Sequence, residues 1–360
     1  MKHQPTSTPR PALQFLPNGL LALALGVSAL AQDPSSTLWY DKPAEKWDME
    51  ALPIGNGRLG AMVFGQVGSE RIGLNEETMW SGSKFENDRP DAAQNLPEIR
   101  RLLSEGKNKE AEALVDKTFT CAGVGSGRGR GAKVPFGCYQ ELGDLMLHFP
   151  QTQETPAAYR RSLDLANAIA AVSYQLAGVT YTREAFTSAV DQVIAVRLGA
   201  DKPGSISTSI ELKRVECFET TADGTLGELL MQGTLDSGQQ GVEGLRYACR
   251  LRAIPKGGKL TVEGNRLRVE GADELLLLVS AATNYQGFCS RKTSDPAAAT
   301  TAELSAAAKK PYERLRADHI AEHRGFYDRM SLSLGDGIKE SQTNAALPTD
   351  QRLTAYAAGG

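Results

Sequence analysis

Ile206-Ser207-Thr208-Ser209-Ile210-Glu211-Leu212 places Ile206, Thr208, Ile210 and Leu212 on alternate positions, with serines and a glutamate between them. Successive side chains of a strand point to opposite faces, so this run buries one face and wets the other. Leu245, Tyr247, Cys249, Leu251 and Ala253 repeat the pattern, alternating with Arg246, Ala248, Arg250 and Arg252. That is the habit of antiparallel sheets, since parallel strands covered on both faces are apolar throughout. Working outward, residues 145–149, 179–189 and 193–198 also read as strands. Leu275 to Val279 is apolar throughout and fits a central strand. Gly264-Asn265 sits between two such runs as a two-residue hairpin turn. The period of two dominates residues 38–282 and predicts about a dozen strands. These are too many for one flat sheet, so two packed sheets are expected.

Helical spacing appears in two places. Leu96, Ile99, Leu102 and Leu103 share one face, and Ala111, Leu114 and Val115 continue it after Gly106. Residues 297–330 are Ala-rich and helical in pattern, with a break expected at Pro311. Ser331 to Leu334 reads as a short strand, 335–348 as loop, and 350–358 as the first turns of a further helix with nothing to pack against. A helix of that length alone is marginal in water.

Composition excludes several classes. The 360 residues are 41% hydrophobic and 23% charged, with a formal net charge of −3, so neither disorder nor a nucleic-acid partner is expected. Lys2 and Arg10 precede the apolar run Leu20 to Ala31, which ends Ala29-Leu30-Ala31. A positive start, a short apolar centre and an A-x-A end make a secretory signal. The run is too short to span a bilayer, which takes roughly 20 apolar residues. Cleavage between Ala31 and Gln32, a secreted or periplasmic product and no membrane contact afterwards are the expectations. Cys121, Cys138, Cys217, Cys249 and Cys289 show no C-x-x-C spacing, and an odd count leaves a free thiol. Most are expected to be buried apolar residues, and their pairing is left open.

Candidate chemistry is sparse. Gly123 to Gly131 lacks the Gly-Lys-Ser/Thr and the preceding strand of a phosphate loop, and reads as a surface loop. His319-Ile320-Ala321-Glu322-His323 spells H-x-x-E-H, which on a helix can hold zinc. A third ligand would have to be His148 or a carboxylate, so an exposed, charged linker helix is the preferred reading. Glu76-Glu77 is an adjacent acid pair, but neighbours on a strand face opposite ways and cannot flank one glycosidic bond. One inward, hydrogen-bonded acid and one solvated acid are expected. Trp80 is the candidate to face a sugar, although an aromatic residue there also suits the core. No cofactor or metal site is expected.

Resemblance adds to this. Trp47 to Gly82 contains Ala51-Leu52-Pro53-Ile54-Gly55-Asn56-Gly57-Arg58-Leu59-Gly60-Ala61-Met62-Val63-Phe64-Gly65 and Leu74-Asn75-Glu76-Glu77-Thr78-Met79-Trp80-Ser81-Gly82. Tyr139 to Leu145, Tyr159 to Leu165, Gly178 to Glu184, Leu277 to Gly287, His319 to Leu334 and Leu347 to Leu353 follow in order. Together they resemble the N-terminal part of glycoside hydrolase family 95, the α-L-fucosidase and α-L-galactosidase family. Glu77 stands where that family commonly has Asp, and Met79 where it commonly has Leu. The glycines Gly55, Gly57 and Gly60 read as a turn entering a strand, needing positive φ or close backbone approach.

The resemblance implies a β-super-sandwich over residues 32–294, a helical linker over 295–334 and, from 335 to 360, the start of an (α/α)6 catalytic domain, after a signal over 1–31. It also implies inverting hydrolysis of fucosyl- or L-galactosyl-containing glycans. The general-acid Glu, the asparagines and the Asp that do this work belong to the barrel and have no counterparts here. The chain alone is therefore expected to be inactive, with its own catalytic domain as partner. A free-standing carbohydrate-binding or structural sandwich is the alternative.

Overall fold

The computed structural model describes residues 36–123, 125, 131–287, 292–332 and 346–358. Within them sixteen strands form two antiparallel sheets. The nine-stranded sheet runs β1 (Thr37–Tyr40), β6 (Ala157–Asp164), β7 (Ile169–Leu176), β8 (Val179–Ser188), β9 (Val193–Ala200), β16 (Glu274–Thr283), β13 (Arg246–Lys256), β12 (Glu228–Thr234), β11 (Glu219–Asp223). The seven-stranded sheet runs β14 (Lys259–Glu263), β15 (Arg266–Ala272), β10 (Ile206–Lys213), β5 (Gly143–His148), β4 (Ser69–Glu76), β3 (Leu59–Val63), β2 (Leu52–Gly55). The sandwich expected from the alternation is present, with more strands than the sequence suggests.

The main core lies between the sheets. Ile206, Ile210 and Leu212 of β10 face Tyr247, Cys249 and Leu251 of β13 across it. The apolar run in β16 is explained by its place in the middle of the wider sheet. Leu275, Leu277 and Val279 point into the sandwich, whereas Leu276 and Leu278 point out into a second core. That second core is roofed by α3 (Pro296–Ala307) and α4 (Tyr312–Tyr327), through Leu304, Ala307, Tyr312 and Leu315. Asp295 caps α3 through the amide of Ala298, and Pro311 stands at the break between the helices, as the sequence suggests. The β14–β15 hairpin turns at Gly264 with Glu263 opposite Arg266.

Several expectations need correction. In the helical pair α1 (Leu96–Ser104) and α2 (Asn108–Thr118), Ile99, Leu102 and Ala111 share a small core, but Leu103 is 53% exposed. Ser331 and Leu332 are not in a strand, and Ser333 and Leu334 lie outside the described residues. The last helix, α5 (Thr349–Ala357), does have a partner. The Trp39 amide donates to Thr349 Oγ1 at 2.9 Å and Arg352 donates to the Thr37 carbonyl at 3.3 Å, which fixes α5 against β1. Cys249 is buried, but Cys121 and Cys138 are half-buried and Cys217 is exposed, while Cys289 and the signal region lie outside the described residues.

α4 is not the exposed linker helix that its charges suggest. His319 is buried and stacks on Phe186 at 4.7 Å. Its Nε2 lies 3.0 and 3.1 Å from the carbonyls of Asn167 and Ala168, so that nitrogen donates and Nδ1 carries no proton. Nδ1 has no partner. Burial holds the imidazole below its usual pKa.

Two arginines, buried Arg183 and half-buried Arg58, tie the sheets together. Arg183 on β8 donates to Glu70 Oε2 on β4 at 2.6 Å, and Glu70 Oε1 accepts from the Gly65 amide at 2.8 Å. Gly65 has φ +77°, and a Cβ there would lie 2.5 Å from the Tyr159 hydroxyl. At the other end Arg58 donates through Nε to Gln192 Oε1 at 2.7 Å and through Nη1 to the Ala281 carbonyl at 2.5 Å. Its Nη2 lies 3.3 Å from Glu303 Oε1 on α3, and Nη1 lies 3.8 Å from Glu76 Oε1 on β4. Glu303 also accepts from the Ser280 hydroxyl. One guanidinium thus joins both sheets and the roofing helix.

Replacing Arg58 by Met takes the guanidinium away from buried Glu76 and from the Ala281 carbonyl, and is expected to cost about 3–5 kcal/mol of stability in urea unfolding; a loss below about 1 kcal/mol, the scale of a surface pair, would contradict it. His319 gives a second expectation. The unfolded imidazole takes a proton near pH 6.5 and the folded one does so only at lower pH, so its contribution is complete above about pH 6.5 and falls as the pH drops below that. Buried Glu70 and Glu76, whose pKa values are raised by burial, act in the opposite sense. The informative quantity is therefore the difference between the stability curves of the parent chain and His319→Gln. That difference should shrink from pH 7 to pH 5, and parallel curves would refute the assignment.

Candidate functional site

The outer face of the seven-stranded sheet carries a cleft of about 250 Å³. Alternation makes its floor. Leu59, Ala61 and Val63 of β3 point into the core, which turns Gly60 and Met62 outward. Ile72 and Leu74 of β4 do the same for Arg71, Gly73 and Asn75. Gly60 pairs with Asn75, and Met62 with Gly73. The register is held at the β2–β3 turn. There the Asn56 side chain accepts from the amides of Arg58 and Leu59 at 3.0 and 2.8 Å, and Gly57 has φ +90°.

Trp47 forms one wall. It is 56% exposed and projects from a turn in which the Glu50 carboxylate accepts from the amides of Glu45 and Lys46 at 2.7 and 3.3 Å. Those backbone donors hold Glu50 below the usual carboxylate range. Tyr139 and Glu141, just before β5, line the cleft as well. The Tyr139 hydroxyl donates to Asn75 Oδ1. Partial burial, with the charges of Glu141 and Glu76 nearby, pushes Tyr139 above the ordinary phenol range, so this hydroxyl remains a donor. Arg71 lies 5.1 Å from the centre of the Phe64 ring and donates to Asp144 Oδ1 at 2.7 Å, so its charge is matched on the surface.

Trp80 is half exposed rather than in the core, and it stands outside the cleft. It bridges to Tyr139 through the backbone and meets that ring edge-on at 6.5 Å and 65°. Its position braces the Tyr139 wall from behind. Glu76 and Glu77 separate as expected. Glu76 is buried and accepts from the amide and hydroxyl of Thr78 at 2.8 and 2.6 Å, whereas Glu77 is exposed. Burial raises Glu76 above the usual carboxylate range. His319 and His323 bond carbonyls of the β6–β7 turn, and His148 lies on the outer face of the other sheet, between Ser69 and Glu211. The three histidines do not meet, and among the described residues no cluster of three or more His, Cys, Asp or Glu side chains is placed to hold a metal.

Sequence reasoning missed Trp47, Asn75, Tyr139 and Glu141 as a group. The outward positions of β3 and β4 were readable from the alternation. What brings Trp47 and Tyr139 to the same place is tertiary, since 92 positions separate them in the chain. Chemically the cleft offers three aromatic side chains, Trp47, Phe64 and Tyr139, with one amide, one carboxylate and the guanidinium of Arg71. Glycosidic hydrolysis needs two carboxyl groups across one bond, roughly 5–9.5 Å apart. Glu141 is the acid in the lining, and Asp144 is held by Arg71. The arrangement suits binding rather than bond cleavage.

The family described as "Glycosyl hydrolase family 65, N-terminal domain" matches residues 38–288. A protein named alpha-L-fucosidase 2 from Arabidopsis thaliana is 31% identical over 342 residues, which is 89% of this chain and 39% of that protein. Two proteins named probable alpha-fucosidase A are similar at 27% identity in Aspergillus niger, over 95% of this chain and 42% of theirs, and at 26% in Aspergillus oryzae, over 87% and 43%. The chain thus spans about two-fifths of the length of the curated relatives it matches. It belongs to the glycosyl hydrolase family 65 N-terminal domain family, in a form like the N-terminal domain of family 95.

Proposed function

We propose that this chain is the N-terminal, non-catalytic part of an exported glycoside hydrolase of the α-L-fucosidase type, acting on glycans that carry terminal L-fucosyl or L-galactosyl residues. The observation that carries the reading is the 31% identity to a protein named alpha-L-fucosidase 2 along 89% of this chain. The geometry supports the non-catalytic part. Glu76 is buried between the sheets and ion-paired, Glu77 faces solvent, and the cleft has a single acid in its lining. A proton donor to the leaving oxygen and a base for water must act on opposite sides of one bond. Binding that stabilises substrate and transition state equally does not speed the chemical step.

The roofing helices suit a connecting role. α3 and α4 are clamped to the sandwich by Arg58, by Tyr312 donating to Glu184 Oε2 at 2.5 Å, and by His319. A helical segment so fixed would set the orientation of whatever follows it. Export rests on the apolar run Leu20 to Ala31 and its A-x-A end.

Two outcomes test this. N-terminal sequencing of the secreted protein should begin at Gln32, and recovery of Met1 from a cytoplasmic product would contradict export. The complete gene product containing this chain should release L-fucose from 2′-fucosyllactose, while the 360-residue chain alone should not. Release by the purified chain that disappears in Glu141→Gln or Glu76→Gln would overturn the non-catalytic reading. A complete product without fucosidase or L-galactosidase activity would overturn the fucosidase reading.

A further inference from the structure

The glycines on the floor of the cleft are not explained by backbone geometry. Neither Gly60 nor Gly73 has a positive φ. A Cβ at Gly60 would meet the Ile54 carbonyl at 3.5 Å and the Asn75 Cβ at 3.7 Å, and one at Gly73 would meet Asp144 Oδ1 at 3.7 Å, all ordinary contacts. Glycine inside a strand costs roughly 0.5–1 kcal/mol relative to alanine, and often marks where a ligand approaches the backbone. Here two glycines on adjacent strands, each opposite a side chain that lines the same cleft, keep the floor open. A larger side chain at either position would stand in the space of the cleft that both glycines line.

We propose that this cleft is a non-catalytic binding site for a single pyranose ring, preferring a 6-deoxy sugar, seated on Gly60 and Gly73 between Trp47 and Tyr139. Size argues for one ring, because about 250 Å³ falls below the roughly 300–1,000 Å³ of sites for drug-sized ligands. The walls argue for a sugar. The C–H face of a pyranose is slightly positive and lies well against the negative face of an aromatic ring. Asn75 and Glu141 supply hydrogen-bonding groups for ring hydroxyls, and the Tyr139–Asn75 bond fixes the orientation of that amide. The apolar lining argues for the 6-deoxy class. Pro53, Met62 and Phe64 give a methyl group apolar contact, and the one cation of the lining, Arg71, is engaged by Asp144, so a C6 hydroxyl would lose its water on entry with little return. The pyranose assignment stands on the cleft itself, whereas L-fucose as the first probe rests on the proposed function.

Isothermal titration of the full 360-residue chain tests it. L-fucose and 2′-fucosyllactose should bind saturably at one site, and L-galactose and D-glucose at least several-fold more weakly. Gly73→Val fills the floor with a residue that suits a strand, so it should keep the parent melting temperature and weaken binding tenfold or more. Trp47→Ala, which removes an exposed side chain, should do the same. Absence of saturable binding by all four sugars would overturn the proposal while leaving the fucosidase reading to the turnover assay. Binding unchanged in both variants would place the site elsewhere and overturn it as well. Equal affinity for L-fucose and L-galactose would overturn the 6-deoxy preference.

Discussion

The Arg58 guanidinium is the constraint on which the rest of this structure depends. It sits where the β2–β3 turn enters β3, and reaches Gln192 at the start of β9, the Ala281 carbonyl on β16, and Glu303 on α3. Asn56, two residues earlier, accepts from the turn's own amides and donates to the Ser188 carbonyl at 2.9 Å. Together they fix where β3 begins. A slip of one residue would turn Gly60 and Met62 into the core and Leu59 and Ala61 out to solvent. The same contacts that clamp the sheets and the roofing helix therefore decide that the cleft exists at all.

Two groups of charges tie the layers of the sandwich together. Arg183 serves Glu70 and the backbone of residues 66–67, while Arg58 serves Glu76 and Glu303. Such groups add little net stability over well-packed apolar residues, but removing one partner is costly, so they specify one arrangement of the layers. Glu70, Glu76 and Glu303 are thereby committed to structure, and Trp47, Asn75, Tyr139 and Glu141 line the cleft on the outer face.

Much of this was legible in the sequence. Alternation in residues 206–212 and 245–253 is a local property, and it returned the sheets with the correct inward faces. The unbroken apolar run 275–279 signalled burial on both sides, and β16 has a core on each face. Glu76 ends β4 facing inward and Glu77 begins the turn beyond it, so the expected separation of the two acids is found, at the strand's end rather than within it. The misses are all tertiary. His319 looked solvated because its neighbours in sequence are charged, but Phe186 on β8 supplies its stacking partner. α5 looked unsupported because β1, which receives it, lies more than 300 positions earlier. Trp80, the candidate beside two acids, is half exposed against Tyr139, and the aromatic residues lining the cleft, Trp47, Phe64 and Tyr139, are joined only by the fold.

The sandwich is proposed to recognise sugar without cleaving it, and the three tryptophans offer a direct view of such binding. Trp47 lines the cleft, Trp80 braces Tyr139 from outside it, and Trp39 lies under Arg160 on β6. Their indole N–H signals are the measurement, followed by NMR while 2′-fucosyllactose is added to the 360-residue chain. A saturable shift of the Trp47 signal is expected, with a smaller one of Trp80, none of Trp39, and intact ligand at the end. A Trp47 signal unmoved at saturating sugar, or free L-fucose accumulating in the tube, would contradict it.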